Sequence, residues 1–432
     1  MSQQITERRS LYAAEFERNG RSLPAFREMR KKAIDRFASL GFPTGREEAW
    51  RHTDVTPLAK TPFRPASGTA NPAQFAGLAK GPLKACQIAF VDGRYAPAFS
   101  SLDLPPGVRV MSLAAVLRDD PKRVEPWLAR HASFDVNPFA ALNTAFMNDG
   151  AFLFIPKGTI LEKPVHLLFL SSLHGEAYVT HPRVLIVAEE GARAAVVQSW
   201  LGPAGGTYFT NAVTEAVLGD GASLELTKVQ RESREAFHVE SLQVAQGRGS
   251  GFTHHSISLG GRLSRNDIGS VLAGEGADCS LLGLYEVAHE QHVDHHTTID
   301  HAKPHGTSRE LYKGVLDGRS RAVFDGRIVV RPDAQKTNAV QSNKNLLLSK
   351  EALVRTKPQL EIFANDVKCK HGATIGQLDE ATLFYMRSRG IGAEEARRLL
   401  IHAFASEIID TVKNPAVRSQ IGGCLGLLVG GA

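Results

Sequence analysis

The chain has 432 residues, of which 43% are hydrophobic and 22% charged, and its formal net charge is +6. This composition is typical of a globular protein with a sizeable core and argues against global disorder, and the length predicts two or three domains. The mild positive charge and the 7% aromatic content do not match the dense basic stripe of a nucleic-acid-binding protein. The sequence therefore predicts no nucleic-acid partner.

Cysteine usage and hydropathy bear on the compartment. No two of the four cysteines form a CxxC pair, and they are far apart in sequence: Cys86, Cys279, Cys369 and Cys424. Such spacing is not that of a secreted disulfide framework. Residues 1–19 carry no apolar signal-peptide segment, and the apolar run 424–429 is far shorter than the about 20 residues that span a membrane. We expect a soluble, reduced, cytoplasmic protein without a membrane partner.

The first part of the chain is predicted to be mainly helical. Residues 61–81, rich in Pro, Ala and Gly, are expected to form a linker. Gly20 and Gly41 are helix stop signals. Apolar residues recur at helical spacing in four segments, the first two of which end at these glycines: residues 5–18, 23–40, 121–131 and 138–148.

The middle of the chain, from about residue 151 to about residue 374, shows short alternating strands and regularly spaced turns. The turn glycines recur every 27 to 30 residues, and each precedes a short run suited to a strand: Gly191, Gly221, Gly249 and Gly276. A period of this size predicts a stacked repeat in which neighbouring units bury one continuous core. The pattern favours a parallel β-helix, or β-solenoid, with flanking helices as caps. An antiparallel sandwich with accidental spacing is the alternative.

The last part of the chain returns to helical spacing. One helix is predicted over 379–389, with Leu383, Phe384 and Met386 as its apolar residues, and a third apolar segment follows over 421–429. A longer helix is predicted over 393–412. Its predicted apolar face contains Leu399, Leu400, Ala403, Phe404 and Ile408. Such amphipathic helices either pack on their own domain or bind a partner.

Motifs of common enzymes are absent from the sequence. It contains no Gly-Lys-Ser or Gly-Lys-Thr, no Gly-x-Ser-x-Gly and no His-Glu-x-x-His. A histidine-dense stretch could bind metal, but no ordered carboxylates accompany it, so polar ladders along a solenoid are the favoured interpretation. Its members are His289, His292, His295, His296, His301 and His305.

The sharper chemical feature is Cys369-Lys370-His371. In a strand, residues i and i+2 point to one face, so Cys369 and His371 would present a thiol and an imidazole side by side. Both groups are good ligands for iron or zinc. Two ligands do not close a tetrahedral site, so others would come from elsewhere in the chain or from a partner.

Several segments together resemble the SufD family of subunits of the SUF iron–sulfur cluster assembly system. The C-terminal part of the resemblance covers residues 356–362, 366–374, 378–380, 383–385 and 388–391. Earlier segments that agree are 48–51 with Thr53, 137–139 with 141–143 and 149–150, and 345–349. The resemblance covers nearly the whole chain.

The resemblance implies a right-handed parallel β-helix, residues 136–375, between a mainly helical N-terminal domain, 1–135, and a helical C-terminal domain, 376–432. It implies a non-catalytic scaffold that pairs with its paralogue SufB and docks the ATPase SufC through the C-terminal helices from 379 to about 412. A transient iron–sulfur cluster would form at the SufB interface, where Cys369 and His371 are candidate ligands. No nucleotide would bind to this chain, and a homodimer of the isolated chain is possible.

The paralogue SufB is distinguished by residues around the same motif. SufB carries glutamates around the histidine, whereas this chain has Lys370 and Gly372. SufB also carries an upstream scaffold cysteine, where this chain has Glu351 or Ala352. These differences favour SufD and imply an incomplete ligand set in this chain.

Two other functions are compatible with a solenoid. One is a purely structural partner of SufB with no metal ligand. The other is a β-helix carbohydrate-active enzyme, which needs paired carboxylates or a basic residue in a groove, and Glu189, Glu190 and Asp294 are the candidates.

Overall fold

Two long, mainly parallel sheets form the body of the molecule in the computed structural model, which describes residues 12–18, 25–66, 75 and 86–423. After its first strands the chain alternates between the two sheets, so that each coil contributes one strand to the first sheet and one to the second. The predicted β-solenoid is therefore confirmed, and the antiparallel sandwich is excluded because every strand pair between coils is parallel.

The strands of the first sheet are, in spatial order, β4 (Arg109–Ser112), β5 (Gly150–Ile155), β8 (Arg183–Ala188), β10 (Tyr208–Leu218), β12 (Phe237–Gln246), β14 (Leu263–Leu272), β16 (His292–His301), β18 (Arg321–Val330) and β20 (Leu353–Ile362), with β1 (Arg64–Pro65) and β7 (Tyr178–Thr180) beside them. The second sheet contains β3 (Arg94–Tyr95), β2 (Cys86–Val91), β6 (Val165–Leu170), β9 (Arg193–Leu201), β11 (Ser223–Arg231), β13 (Gly251–Ser258), β15 (Asp278–Val287), β17 (Thr307–Leu316), β19 (Asn338–Leu347) and β21 (Lys368–Gly376). Both sheets thus begin within the segment predicted to be mainly helical.

The repeat inferred from the glycines corresponds to one coil. The four glycines have φ between 61° and 69°, in the left-handed region that a side chain disfavours, and each lies at the corner that leads into a strand of the second sheet. The runs that follow them stack in register, so that Ala194, Leu224, Phe252 and Cys279 are successive partners. All four side chains are buried and point into the solenoid.

Helices lie before, between and after the strands: residues 12–18, Arg27–Leu40, Thr56–Lys60, Leu113–Asp119, Pro138–Phe146, Glu380–Ser388, Ala393–Ile409 and Pro415–Gly422, with 3-10 turns at Glu48–Trp50, Pro97–Phe99 and Pro121–Arg123. The start of the first predicted helix, most of the predicted linker, Gly20 and the segment from Cys424 onward lie outside the described residues. Among the described helices, none is both long enough and apolar enough to cross a membrane.

The helix predicted over 121–131 is wrong. Only the 3-10 turn Pro121–Arg123 forms, and turns follow it. The backbone N–H groups of Ala129, His131 and Ala132 donate to the carboxylate of Glu215 at 2.8, 2.9 and 3.1 Å. This buried anion on β10 therefore takes the donors that would otherwise be available for helical hydrogen bonds.

The face predicted for the longest C-terminal helix is confirmed for the buried Ile408 and the partly buried Phe404, but it is wrong for the exposed Leu399 and Ala403. The helix Ala393–Ile409 buries Ala396, Ile401, Ala405, Ile408 and Ile409, whereas Leu399 is 47% exposed. The buried residues near its end pack on the outer face of the second sheet, together with Val412, Val417 and Ile421. Lys313 on β17 fixes the orientation, because its ammonium donates to the carbonyl of Phe404 at 2.7 Å and pairs with Glu407 at 2.6 Å.

Polar side chains also line the interior of the solenoid. Lys228 on β11 is buried, and its ammonium donates to Nε2 of His238 at 2.8 Å and to the carboxylate of Glu240. Nearer the last coil, Nε2 of Gln341 on β19 donates to Oε2 of Glu310 on β17 at 2.7 Å. Burial raises the pKa of Glu310 to about 7. The interior therefore mixes an apolar core with buried hydrogen-bonded charges.

Replacing Glu215 with alanine should destabilise the protein strongly. Glu215 and Arg183 are both fully buried and lie 2.5 Å apart, so the substitution leaves a buried guanidinium without its anionic partner and three N–H groups without their acceptor. Removing one partner of such a pair costs about 3–5 kcal/mol. Urea denaturation measures the effect, and Glu190→Ala, in an exposed pair with Lys157, is the control, with an expected loss below about 1 kcal/mol. Equal losses in both variants would contradict this account.

Replacing Glu310 with glutamine should stabilise the protein in a pH-dependent manner. The folded pKa lies above the ordinary 4.5, so the wild-type protein loses stability as pH rises from about 4.5 through about 7. The increase in the pKa of Glu310 from 4.5 to about 7 corresponds to a loss of about 3 kcal/mol in the free energy of unfolding at high pH. The neutral amide of glutamine does not ionise and avoids this loss. Urea denaturation at pH 4 and pH 8 should show the advantage of Glu310→Gln only at the higher pH. If the two proteins differed in unfolding free energy by the same amount at pH 4 and at pH 8, the pKa of Glu310 would not be raised by burial.

Candidate metal-binding site

The solenoid is open at its C-terminal end. The first sheet ends at β20 and the second at β21, and neither strand has a further neighbour among the described residues. Apolar side chains are exposed here, including Phe363 at 64% and Ile375 at 51%. Backbone groups and interior-facing side chains that are covered in every earlier coil are therefore accessible in the last one.

Cys369 and His371 lie on β21, in this last coil. They pair with Ala339 and Gln341 of β19, whose side chains are buried in the interior, so the thiol and the imidazole point to the same inward side. Cys369 is half-buried and packs near Ala339 and Leu360, whereas His371 is exposed. The strand register thus places both side chains on one face of β21, as the i, i+2 spacing predicts.

The chemistry of this pair is that of a partial metal site. Burial raises the pKa of the Cys369 thiol, so a bound cation or a basic partner group is needed to favour the thiolate. Within the described ranges, no group of three or more His, Cys, Asp or Glu side chains is placed to hold a metal ion. A thiolate and an imidazole can each bind iron, but this pair leaves the remaining positions to ligands from another molecule.

The other described cysteines are not placed for this chemistry. Cys279 is fully buried in the core, and burial raises the pKa of its thiol to about 12. Cys86 is buried on β2, near the opposite end of the second sheet, and burial raises the pKa of its thiol as well. Cys424 lies outside the described residues.

The histidine-dense stretch is divided between the two sides of β16 and the turns beside it. His295 and His301 are buried in the interior, and His292 and His296 lie on the outer side. His289 and His305 have positive φ, at 55° and 60°, and lie in turns. Strand alternation therefore separates these imidazoles instead of gathering them, in keeping with the polar-ladder interpretation.

The N-terminal segment that includes Trp50 and Thr53 covers the outer side of β16. The hydroxyl of Thr53 donates to Asp294 at 2.5 Å, and Arg265 donates to the same oxygen at 2.6 Å. The guanidinium of Arg265 lies 3.7 Å from the centre of the Trp50 ring. Although burial alone would raise it, Arg265 holds the pKa of Asp294 well below its usual value. Asp294 is thus fully buried and paired, and a polysaccharide could not reach it.

The C-terminal helices present a second exposed surface. Leu383 is buried in the helix Glu380–Ser388, but Phe384 is 73% exposed and Tyr385 57% exposed. Leu399 on the next helix is 47% exposed, and we call Phe384, Tyr385 and Leu399 the outer helix patch. The opposite face of the helix Ala393–Ile409 packs on the solenoid, so this patch has no cover among the described residues.

Two residues near the site were missed by sequence reasoning. Gln341 and Glu310 occupy the same inward position as His371 on the two preceding strands of the second sheet. A signal was present in the sequence, since 310, 341 and 371 follow the period of the repeat. It was overlooked because the turn glycines fix the period only up to residue 276.

Comparisons with known proteins give matches along most of the chain. Residues 171–404 match the family model of the SUF system FeS cluster assembly SufBD core domain, and residues 7–167 match that of the SufBD protein N-terminal region. An iron–sulfur cluster assembly SufBD family protein of Synechocystis is 34% identical over 92% of this chain and 89% of its own length.

Two of the similar proteins carry the name SufD. The iron–sulfur cluster assembly protein SufD of Escherichia coli is 31% identical over 90% of this chain and 89% of its own length. The protein of the same name from Bacillus subtilis is 27% identical over 73% of this chain and 72% of its own length. Together with the two-sheet solenoid and its flanking helices, these matches show that the chain belongs to the SufBD family of the SUF iron–sulfur cluster assembly system.

Proposed function

We propose that this chain is a non-catalytic scaffold subunit that helps to assemble iron–sulfur clusters, paired with the paralogue SufB and with the ATPase SufC. The observation that carries the proposal is the position of Cys369 and His371 on the inward side of the last, open coil. There the chain offers two metal ligands at a surface that another protein can cover. The nascent cluster is the cargo of this surface, held transiently.

The open end supports pairing with a second solenoid. The edge strand β21 contains no proline and pairs with β19 alone among the described strands, so a strand of another chain can extend the sheet. On β20, Pro358 lacks an N–H and interrupts such pairing. A SufB chain bound along β21 would bring its own ligands beside Cys369 and His371. A second copy of this chain could use the same edge when SufB is absent.

The outer helix patch supports docking of the ATPase. Phe384 and Tyr385 are large aromatic side chains that are exposed next to the solenoid, and such residues often dominate protein interfaces. The helix that carries Leu399 is fixed to β17 through Lys313 and Glu407. A movement of the bound ATPase would therefore act on the sheet that contains Cys369 and His371.

The finer assignments are part of the same proposal. Lys370 and Gly372 beside the histidine, and Glu351 or Ala352 upstream, favour the SufD type over SufB. The working division is 1–135 for the N-terminal part, 136–375 for the solenoid and 376–432 for the docking helices. We also propose that the protein is cytoplasmic and that this chain binds no nucleotide.

Substituting Cys369→Ser together with His371→Ala should lower the cluster yield of the reconstituted complex at least tenfold, because both ligands are lost. Iron content, acid-labile sulfide and visible absorbance measure the yield, and size-exclusion chromatography reports on the assembly of the complex. The matched control is Lys368→Ser with Lys370→Ala, which changes the outward side of the same strand. An unchanged yield in an intact complex would favour a purely structural partner of SufB.

Substituting Phe384→Asp together with Leu399→Asp should weaken binding of the ATPase about thirtyfold, because truncated hot-spot residues typically cost 2 kcal/mol or more. Folding should not change, since both side chains are exposed. Isothermal titration calorimetry measures the binding. Val136→Asp, at a residue that is 77% exposed on another part of the surface, is the control. Equal affinities of all three proteins would remove the outer helix patch as the docking surface.

A further inference from the structure

Three polar side chains occupy one inward ladder at the open end of the solenoid. Glu310 on β17 pairs in register with Gln341 on β19, and Gln341 pairs in register with His371 on β21. Neighbouring strands lie about 4.8 Å apart, so the three side chains follow one another along the axis. Glu310 and Gln341 are buried, and His371 is exposed at the end of the ladder.

The direction of the Gln341 amide follows from its contact with Glu310. Nε2 of Gln341 donates to Oε2 of Glu310 at 2.7 Å, and Oε2 can accept this bond in the ionised carboxylate and also in the acid whose proton lies on Oε1. The carbonyl oxygen Oε1 of Gln341 is then the free atom of the amide. It is buried and has no hydrogen-bond partner among the described residues. A buried acceptor of this kind is costly unless a donor reaches it.

The surroundings leave space for the Gln341 side chain. A Cβ atom at Gly326 of β18 would lie only 2.4 Å from Nε2 of Gln341. A larger residue at 326 would therefore displace the amide from Glu310. The next side chain along the ladder toward the open end is the imidazole of His371, which carries a ring N–H donor in its neutral and charged forms.

We propose that Gln341 is a positioning residue for His371, whose ring N–H donates to Oε1 of Gln341 so that the other ring nitrogen faces the cluster-binding side. The inference rests on the proposed function of Cys369 and His371. The result is a carboxylate–amide–imidazole column of Glu310, Gln341 and His371. Metal-binding histidines commonly donate their second N–H to such a partner, which fixes the tautomer and the ring orientation.

The first test follows the imidazole itself in the full-length chain labelled with ¹⁵N-histidine. The variant His371→Ala identifies the resonance of His371. Gln341→Met keeps a similar volume but removes the acceptor, so the ring-nitrogen shifts of His371 should move from one dominant tautomer to a mixture. Gln198→Met is the matched control, because Gln198 is another buried interior amide, bonded to Thr214 at 3.2 Å in an earlier coil. Identical His371 shifts in wild type and Gln341→Met would overturn the proposal.

The second test measures cluster yield in the reconstituted complex. Gln341→Met should lower the yield several-fold when His371 is present and should have no further effect in the His371→Ala background, because Gln341 acts through that ring. Independent, multiplying losses would overturn the positioning role. If His371→Ala leaves the yield unchanged while the His371 shifts still respond to Gln341→Met, the proposed function fails and the positioning role stands.

Discussion

The in-register parallel pairing of strands is the constraint on which the rest of the structure depends. Because each residue lies beside its equivalent in the next coil, a side chain that points inward in one coil does so in all of them. This places Cys369 above Ala339 and His371 above Gln341. It also gives each buried polar residue a neighbour of defined identity, as with Glu310 and Gln341. A slip of one residue would turn both candidate ligands to the outer side of β21.

The solenoid and the candidate pair could be predicted because both depend on local spacing. Glycines at corners set the period, and the i, i+2 relation set the common face of Cys369 and His371. The structural predictions that failed depended on contacts with residues that are distant in sequence. The segment 121–131 lost its helix to the carboxylate of Glu215, which lies 83 residues or more away in sequence. The helix Ala393–Ile409 buries Ile401 and Ala405 in place of Leu399 and Ala403, because Lys313 and the second sheet fix its rotation.

Buried charge has two consequences in this molecule. The pairs of Arg183 with Glu215 and of Arg265 with Asp294 attach N-terminal segments to the outer side of the first sheet, since each acidic residue also accepts a donor from such a segment. Inside the solenoid, no cation among the described residues pairs with Glu310, and Gln341 only partly offsets its burial. Such perturbed groups cluster at functional sites, and the in-register ladder leads from Glu310 through Gln341 to His371.

The two ends of the solenoid differ in a way that limits its growth. At the beginning, the short strands β3 and β4 run antiparallel to their neighbours and finish both sheets. At the other end of the described part of the chain, Pro358 interrupts the edge of β20, whereas the edge strand β21 is longer than β3 and β4 and contains no proline. A protein with two extendable ends would polymerise into fibres, whereas one with a single extendable end closes after the first association. In the assembly proposed above, this polarity would favour pairs of solenoid chains and would place Cys369 and His371 at the single junction between them.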